Sequence, residues 1–158
     1  MDLLLEIKKF YELLPTHTED TTIKIEKIEE VAEAVFNGKW KILTNEIKIG
    51  YTNETMGIYS NLPCIIFDDF TTDSKLVNFP FKVKSSAMKI LQVRTGIEIE
   101  YVSMFMSVTR LIGDTHKRYW ISEYSKLDIP IPPLAEQRRI VDAINVAFAK
   151  LEAIMESL

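Results

Sequence analysis

The chain has 158 residues, 47% of them apolar and 27% charged, with a net charge of −4; this is the size of one domain with enough apolar side chains for a globular core, which argues against disorder. No apolar run approaches the roughly 18 residues needed to span a bilayer, and acids interrupt the N-terminal "MDLLLEIKKFYELLP", so neither a membrane span nor a secretory leader is expected and the location reads as cytoplasmic. The single cysteine, Cys64 in "LPCIIF", excludes an intrachain disulfide and reads as an inert core thiol in a reduced compartment.

Residues 2 to 14 place Leu3, Leu4, Ile7, Phe10, Tyr11 and Leu14 at helical spacing, and Pro15 ends the pattern. A polar connector, "THTEDTT", comes next. The stretch "IKIEKIEEVAEAVFNGK" predicts a strand at residues 23 to 25, a helical turn around 27 to 35 and a stop at Asn37-Gly38. From 39 to 94 the runs "KWKIL", "EIKIGY", "PCIIFD", "FPFKVK" and "MKILQVR" alternate with turn residues, which predicts a mostly antiparallel sheet or partial barrel. Tyr101, Met104, Phe105, Val108, Leu111 and Ile112 then fall on one helical face, closed by Gly113.

The prolines of "IPIPPLAEQRRIV" forbid a helix up to Pro133, which suits the first position of a helix that runs to the last residue. Beyond it Leu134, Val141, Ile144, Phe148, Leu151, Met155 and Leu158 fit alternating three- and four-residue steps, an a/d seam interrupted only by Gln137 and flanked by Ile140, Ala147 and Ile154. A helix from 134 to 158 would extend about 37 Å, so part of the seam should project and seek another helix.

Charge is segregated along the chain. Residues 1 to 74 carry 7 Lys+Arg against 14 Asp+Glu, residues 75 to 118 carry 8 against 3, and residues 119 to 158 carry 4 against 6, which gives −7, +5 and −2. A basic middle within an acidic chain is a candidate anion-binding face.

The string "LDIPIPPLAEQRRIVDAI" resembles the junction at which a target recognition domain of a type I restriction-modification specificity subunit passes into its conserved spacer helix. The stretches "LPCIIFDDFTTDSKLVNFPFKVKSSAMKIL" and "HKRYWISEYSKLDIP" are similar to the same family's central strands and to its basic-aromatic approach to the prolines. The likeness covers roughly residues 23 to 158, and it departs at Asp68, where a small residue is usual. It implies an α+β chain: an N-terminal amphipathic helix and connector (1–22), a mostly antiparallel, β-rich DNA-binding domain with packed helices (23–132), and a coiled-coil spacer helix (133–158). A full subunit of this family has two recognition domains and two antiparallel helices, so the chain reads as half a subunit, able to rebuild the whole as a homodimer. The partners implied are double-stranded DNA, methyltransferase subunits and the restriction subunit. S-adenosylmethionine, ATP and Mg²⁺ would belong to those subunits, and this chain would have no catalytic residue, cofactor or metal of its own.

Reading DNA needs cations for phosphates and polar groups for base edges. One candidate group is Lys75, Lys82, Lys84, Ser85, Ser86 and Lys89, in which Lys82 and Lys84, two apart, share a strand face. The other is Arg110, His116, Lys117, Arg118 and Tyr119. Tyr119 and Trp120 are expected to give one core ring and one surface ring, and Arg94 reads as sheet surface. His116 beside Lys117 and Arg118 has the makings of a base or ligand, but two histidines and one cysteine without metal-ligand spacing do not make a zinc site. Asp68, Asp69 and Asp73 in "FDDFTTD" suit a turn, with carboxylates bonding nearby amides, better than the paired carboxylates of a metal-dependent nuclease. The competing reading of another class is a coiled-coil adaptor whose basic strands bind protein and carry no DNA preference.

Overall fold

The computed structural model describes residues 22–35, 56–82, 87–111 and 117–158. The expected helix at 2 to 14, the strands "KWKIL" and "EIKIGY", and Lys84, Ser85, Ser86, Ile112, Gly113 and His116 lie outside the described residues. The chain divides into two compact units, one formed by Ile25–Ile129 and one that holds Pro130–Leu158.

β1 (Lys24–Lys27) pairs with β8 (Asp128–Ile131). A single helical turn, α1 (Ile28–Val31), leads directly into β2 (Ala32–Ala34). The expected helix continues through these last residues. They form strand instead because Ala32, Glu33 and Ala34 pair antiparallel with Val93, Gln92 and Leu91, and tertiary pairing outweighs the helix propensity of an Ala-Glu sequence. Arg94 fastens this corner: its guanidinium donates to the Glu30 carbonyl at 2.9 Å and to Glu26 Oε2 at 2.6 Å, and the Glu26 bond holds its pKa above the ordinary value.

The central sheet has the order β2-β7-β4-β5, with β4 (Cys64–Asp68), β5 (Ser74–Val77) and β7 (Met88–Val93) antiparallel. Register assigns its faces, because residues opposite one another share a side and neighbours along a strand alternate. One face gathers Cys64, Ile66, Val77, Met88 and Ile90 into a buried cluster with Phe81. Tyr59 packs against the same cluster from the two-stranded antiparallel sheet of β3 (Ile58–Tyr59) and β6 (Phe81–Lys82), and Gln92 Nε2 donates to Tyr59 Oη and the Asn61 carbonyl, both at 2.8 Å. Burial pushes the Cys64 thiol up to about 11, which fits the inert thiol expected there.

On the other face stand Ile65, Phe67 and Leu91, all fully buried. Phe67 meets Trp120 edge-on at 5.2 Å and Tyr124 at 4.6 Å between ring centroids. The helix α2 (Ile99–Val108) packs on β4 and β5. It buries Ile99, Tyr101, Val102 and Met106 but leaves Val108 82% exposed. The expected apolar face, running on to Leu111 and Ile112, is therefore corrected: the helix ends at Val108. There Tyr124 Oη donates to the Thr109 carbonyl at 2.6 Å, and the Leu111 N–H donates to Thr72 Oγ1 at 2.9 Å, so these backbone groups are held by side chains and not by a continuing helix.

Burial raises the Tyr124 pKa well above its ordinary value. The fold thus keeps a proton that the unfolded chain sheds above about pH 10, and stability should fall as pH rises beyond that point. Tyr124→Phe is expected to lower stability by about 1 to 2 kcal/mol at neutral pH, since it leaves the Thr109 carbonyl without its donor, and to flatten the alkaline loss. Urea unfolding at pH 7 and pH 10.5 checks both; equal alkaline losses in the two proteins would contradict the assignment.

In the second unit Pro133 stands just before the helix α3 (Leu134–Glu156), as its N-cap and not at the first helical position. The Pro133 carbonyl accepts the N–H groups of Glu136 and Gln137 at 2.9 and 3.0 Å. Gln137, the polar interruption of the seam, is buried and donates its side-chain amide to the Pro132 carbonyl at 2.9 Å. Glu136 chelates Arg139 one turn on, at 2.8 to 3.0 Å, an i,i+3 pair that holds the Arg139 pKa up.

Candidate nucleic-acid interface

The turn of residues 68–73, which joins the end of β4 to β5, brings together part of the basic middle of the chain. Asp68 Oδ1 accepts the N–H of Phe70 at 2.8 Å and of Thr71 at 3.3 Å, Thr71 Oγ1 accepts Asp73 N–H at 3.2 Å, and Asp73 Oδ1 accepts Ser74 N–H at 3.0 Å. These are the side-chain-to-amide bonds expected of a turn. Thr72 sits in the left-handed region at φ 57, a costly place for a β-branched residue. Its buried hydroxyl, bonded to the backbone of Leu111, offsets that cost.

Three of the anticipated cations, Arg110, Arg118 and Lys89, contact this turn, and Lys117 stands next to Arg118 in the chain. Arg110 is exposed and donates to the Thr71 carbonyl at 3.0 Å. The Arg118 guanidinium lies 5.6 Å from the centre of the Phe70 ring, a cation–π arrangement that holds an exposed arginine without burying its charge. Lys117 pairs with Glu123 and lies 5.5 Å from the Tyr119 ring. Lys89 points inward, with only 18% of its side chain exposed and its ammonium 3.9 Å from Asp69 Oδ2.

The remaining candidates are placed elsewhere. Lys75 opposes Ile66 while Lys89 opposes Phe67, so these two lysines lie on opposite faces of the sheet. Lys82 lies opposite Ile58 in the two-stranded β3–β6 sheet. The single basic strand-and-loop face expected from the sequence is therefore split among the described residues. Tyr119 and Trp120 are both buried, which corrects the expectation of one core and one surface ring. Trp120 joins the Phe67–Tyr124 group, and the backbone N–H groups of both residues donate to Asp69 Oδ1 at 3.1 and 2.6 Å.

Three residues that organise the turn were not singled out in these roles: Phe70, Thr72 and Asp69. For Asp69 a signal existed, since strand alternation from Ile65 through Phe67 puts residue 69 on the same buried side.

In the second unit α3 carries the predicted seam through Met155, and it ends at Glu156, short of the last residue to which the helix was expected to run, so that Leu158 lies beyond it. Leu134 and Ile144 are half-buried and Val141 is buried, whereas Phe148, Leu151, Met155 and Leu158 are 53 to 96% exposed. The spacing of those within the helix places them on one side of it.

No family model matches the chain. Over 121 residues it is 49% identical to the EcoR124I/EcoR124II type I restriction enzyme specificity subunit of Escherichia coli, a match that takes in 66% of this chain and 30% of that protein. Two solved structures share its fold. One comes from work on complex assembly and conformational transition of the type I R-M system, with a TM-score of 0.63 and 15% identity, covering 98% of this chain and 46% of that one. The other is the HsdS subunit from Thermoanaerobacter tengcongensis, with a TM-score of 0.50 and 13% identity, covering 98% and 45%. The chain spans less than half the length of each of these three proteins. Identity at half of the aligned positions over 66% of this chain makes it similar to the specificity subunits of type I restriction-modification enzymes, and the two solved structures share its α+β fold.

Proposed function

We propose that this chain reads one half of a bipartite DNA target for a type I restriction-modification enzyme. The observation that carries the reading is the convergence of two exposed guanidinium groups, Arg110 and Arg118, on one turn of the β-rich unit, with the exposed Lys117 next to Arg118 in the chain. Guanidinium groups held by a carbonyl and a ring face are preorganised for phosphates or guanine edges. The exposed half of the α3 seam supports pairing with the same helix of a second copy, which would set two readers at a fixed separation. Methyltransferase subunits, and through them the restriction subunit, are the further partners. Methyl transfer from S-adenosylmethionine and ATP-driven cleavage would take place on those subunits, and this chain contributes recognition alone.

Selection of bound sites from random duplexes, with the chain reconstituted on its methyltransferase subunits, tests the reading. A recovered consensus is expected, and recovery of unselected sequence would assign the chain to an adaptor role instead. Arg110→Ala with Arg118→Ala should reduce the log-log salt slope of DNA binding by roughly 2, since each neutralised phosphate contributes about 0.9. An unchanged slope would remove the 68–73 turn from the interface.

A further inference from the structure

The two basic segments at the turn are joined through one buried acid. Asp69 is 2% exposed, and its carboxylate is surrounded by donors. Oδ1 accepts the N–H groups of Tyr119 and Trp120, while Oδ2 faces Lys89 Nζ at 3.9 Å. Its backbone is engaged as well: Asp69 N–H donates to the Ala87 carbonyl at 2.8 Å, and the Asp69 carbonyl accepts Tyr119 N–H at 2.9 Å. A carboxylate removed from water is retained only where donors and a counter-charge replace its hydration. Here the donors come from residues 50 and 51 positions later in the chain and the counter-charge from β7. The segment so held begins with Lys117 and Arg118. Lys89, turned inward to meet the acid, is placed as a counter-ion and not as a contact for a ligand.

We propose that Asp69 is a positioning residue for DNA reading, and that the Asp69–Lys89 couple fixes the 117–120 segment in the place from which Lys117 and Arg118 meet DNA. The inference rests on the proposed function, and adds that recognition depends on two side chains that never touch DNA.

Asp69→Asn keeps an oxygen for the Tyr119 and Trp120 amides but turns an NH₂ group toward the Lys89 ammonium. Lys89→Met keeps the stem packed on β7 and removes the counter-charge. In the reconstituted complex each variant is expected to weaken DNA binding by about tenfold with the salt slope unchanged, because no phosphate contact is lost. Each should also speed hydrogen exchange at the Trp120 amide by about tenfold or more, the usual weight of a bond to a charged acceptor. Should Asp69→Asn not fold, Lys89→Met carries both measurements. A salt slope that drops by about one in Lys89→Met would make that lysine a phosphate ligand and overturn the proposal. So would wild-type affinity and exchange in both variants. If the unaltered complex shows no sequence-selective binding, the DNA reading itself fails, and the exchange rates then report separately on whether Asp69 holds the segment.

Discussion

Phe148→Asp combined with Leu151→Asp is expected to convert a dimer of this chain into monomers without lowering the melting temperature of the β-rich unit. Both side chains are more than half exposed, so a charge there costs the isolated fold little. In a paired helix each would instead be buried, contributing about 1.5 to 3 kcal/mol. Losing the two contacts and desolvating two carboxylates should weaken association by about a hundredfold or more, since each 1.4 kcal/mol is a factor of ten. The same change at Ile144 is a poorer test, because that residue is half-buried in the single chain and an aspartate there would also disturb the fold. Sedimentation velocity at micromolar concentration reads the outcome directly. An unaltered mass for the double variant would show that the exposed seam is not the dimer contact, and a monomeric parent protein would leave the seam to a different helix.

The seam was legible because heptad spacing is a property of the sequence alone, and the strands around Cys64 and Ile90 were legible because short apolar runs between turn residues have few other places to go, whereas β5 (Ser74–Val77) lay outside the predicted runs. What failed were boundaries decided by distant partners. Ala32–Ala34 carries helix-forming residues, yet β7 offers an edge that claims them as strand. The apolar pattern of α2 continues past Val108, but Tyr124 and Thr72 take the Thr109 carbonyl and the Leu111 amide. Tyr119 and Trp120 are both inside because Asp69 draws their amides toward the sheet. At the candidate site the sequence supplied the cations but not their grouping. Lys75 and Lys89 are separated by strand register, whereas Arg110 and Arg118 meet at the turn of residues 68 to 73 through a carbonyl and a ring.

Phe67→Ala should cost about 3 to 5 kcal/mol of stability, the usual loss on truncating a buried phenylalanine. Phe67 is fully buried and touches both Trp120 and Tyr124, and each such ring pair adds roughly 0.5 to 1.5 kcal/mol beyond area burial. Against a total of about 5 to 15 kcal/mol for an ordinary domain, that is a large share of the stability, and the melting temperature should fall clearly. Phe67→Leu retains most of the volume and should cost markedly less. Urea unfolding followed by tryptophan fluorescence separates the two variants, and a loss below about 1 kcal/mol for Phe67→Ala would mean that the three-ring group is not the centre of the core. The consequence reaches the DNA-reading surface as well. Phe67 is two residues from Asp69 and packs on the indole whose backbone Asp69 holds, so the cavity would let the 117–120 segment shift. DNA affinity should therefore fall before the fold is lost, at temperatures where far-ultraviolet circular dichroism still reports an intact sheet.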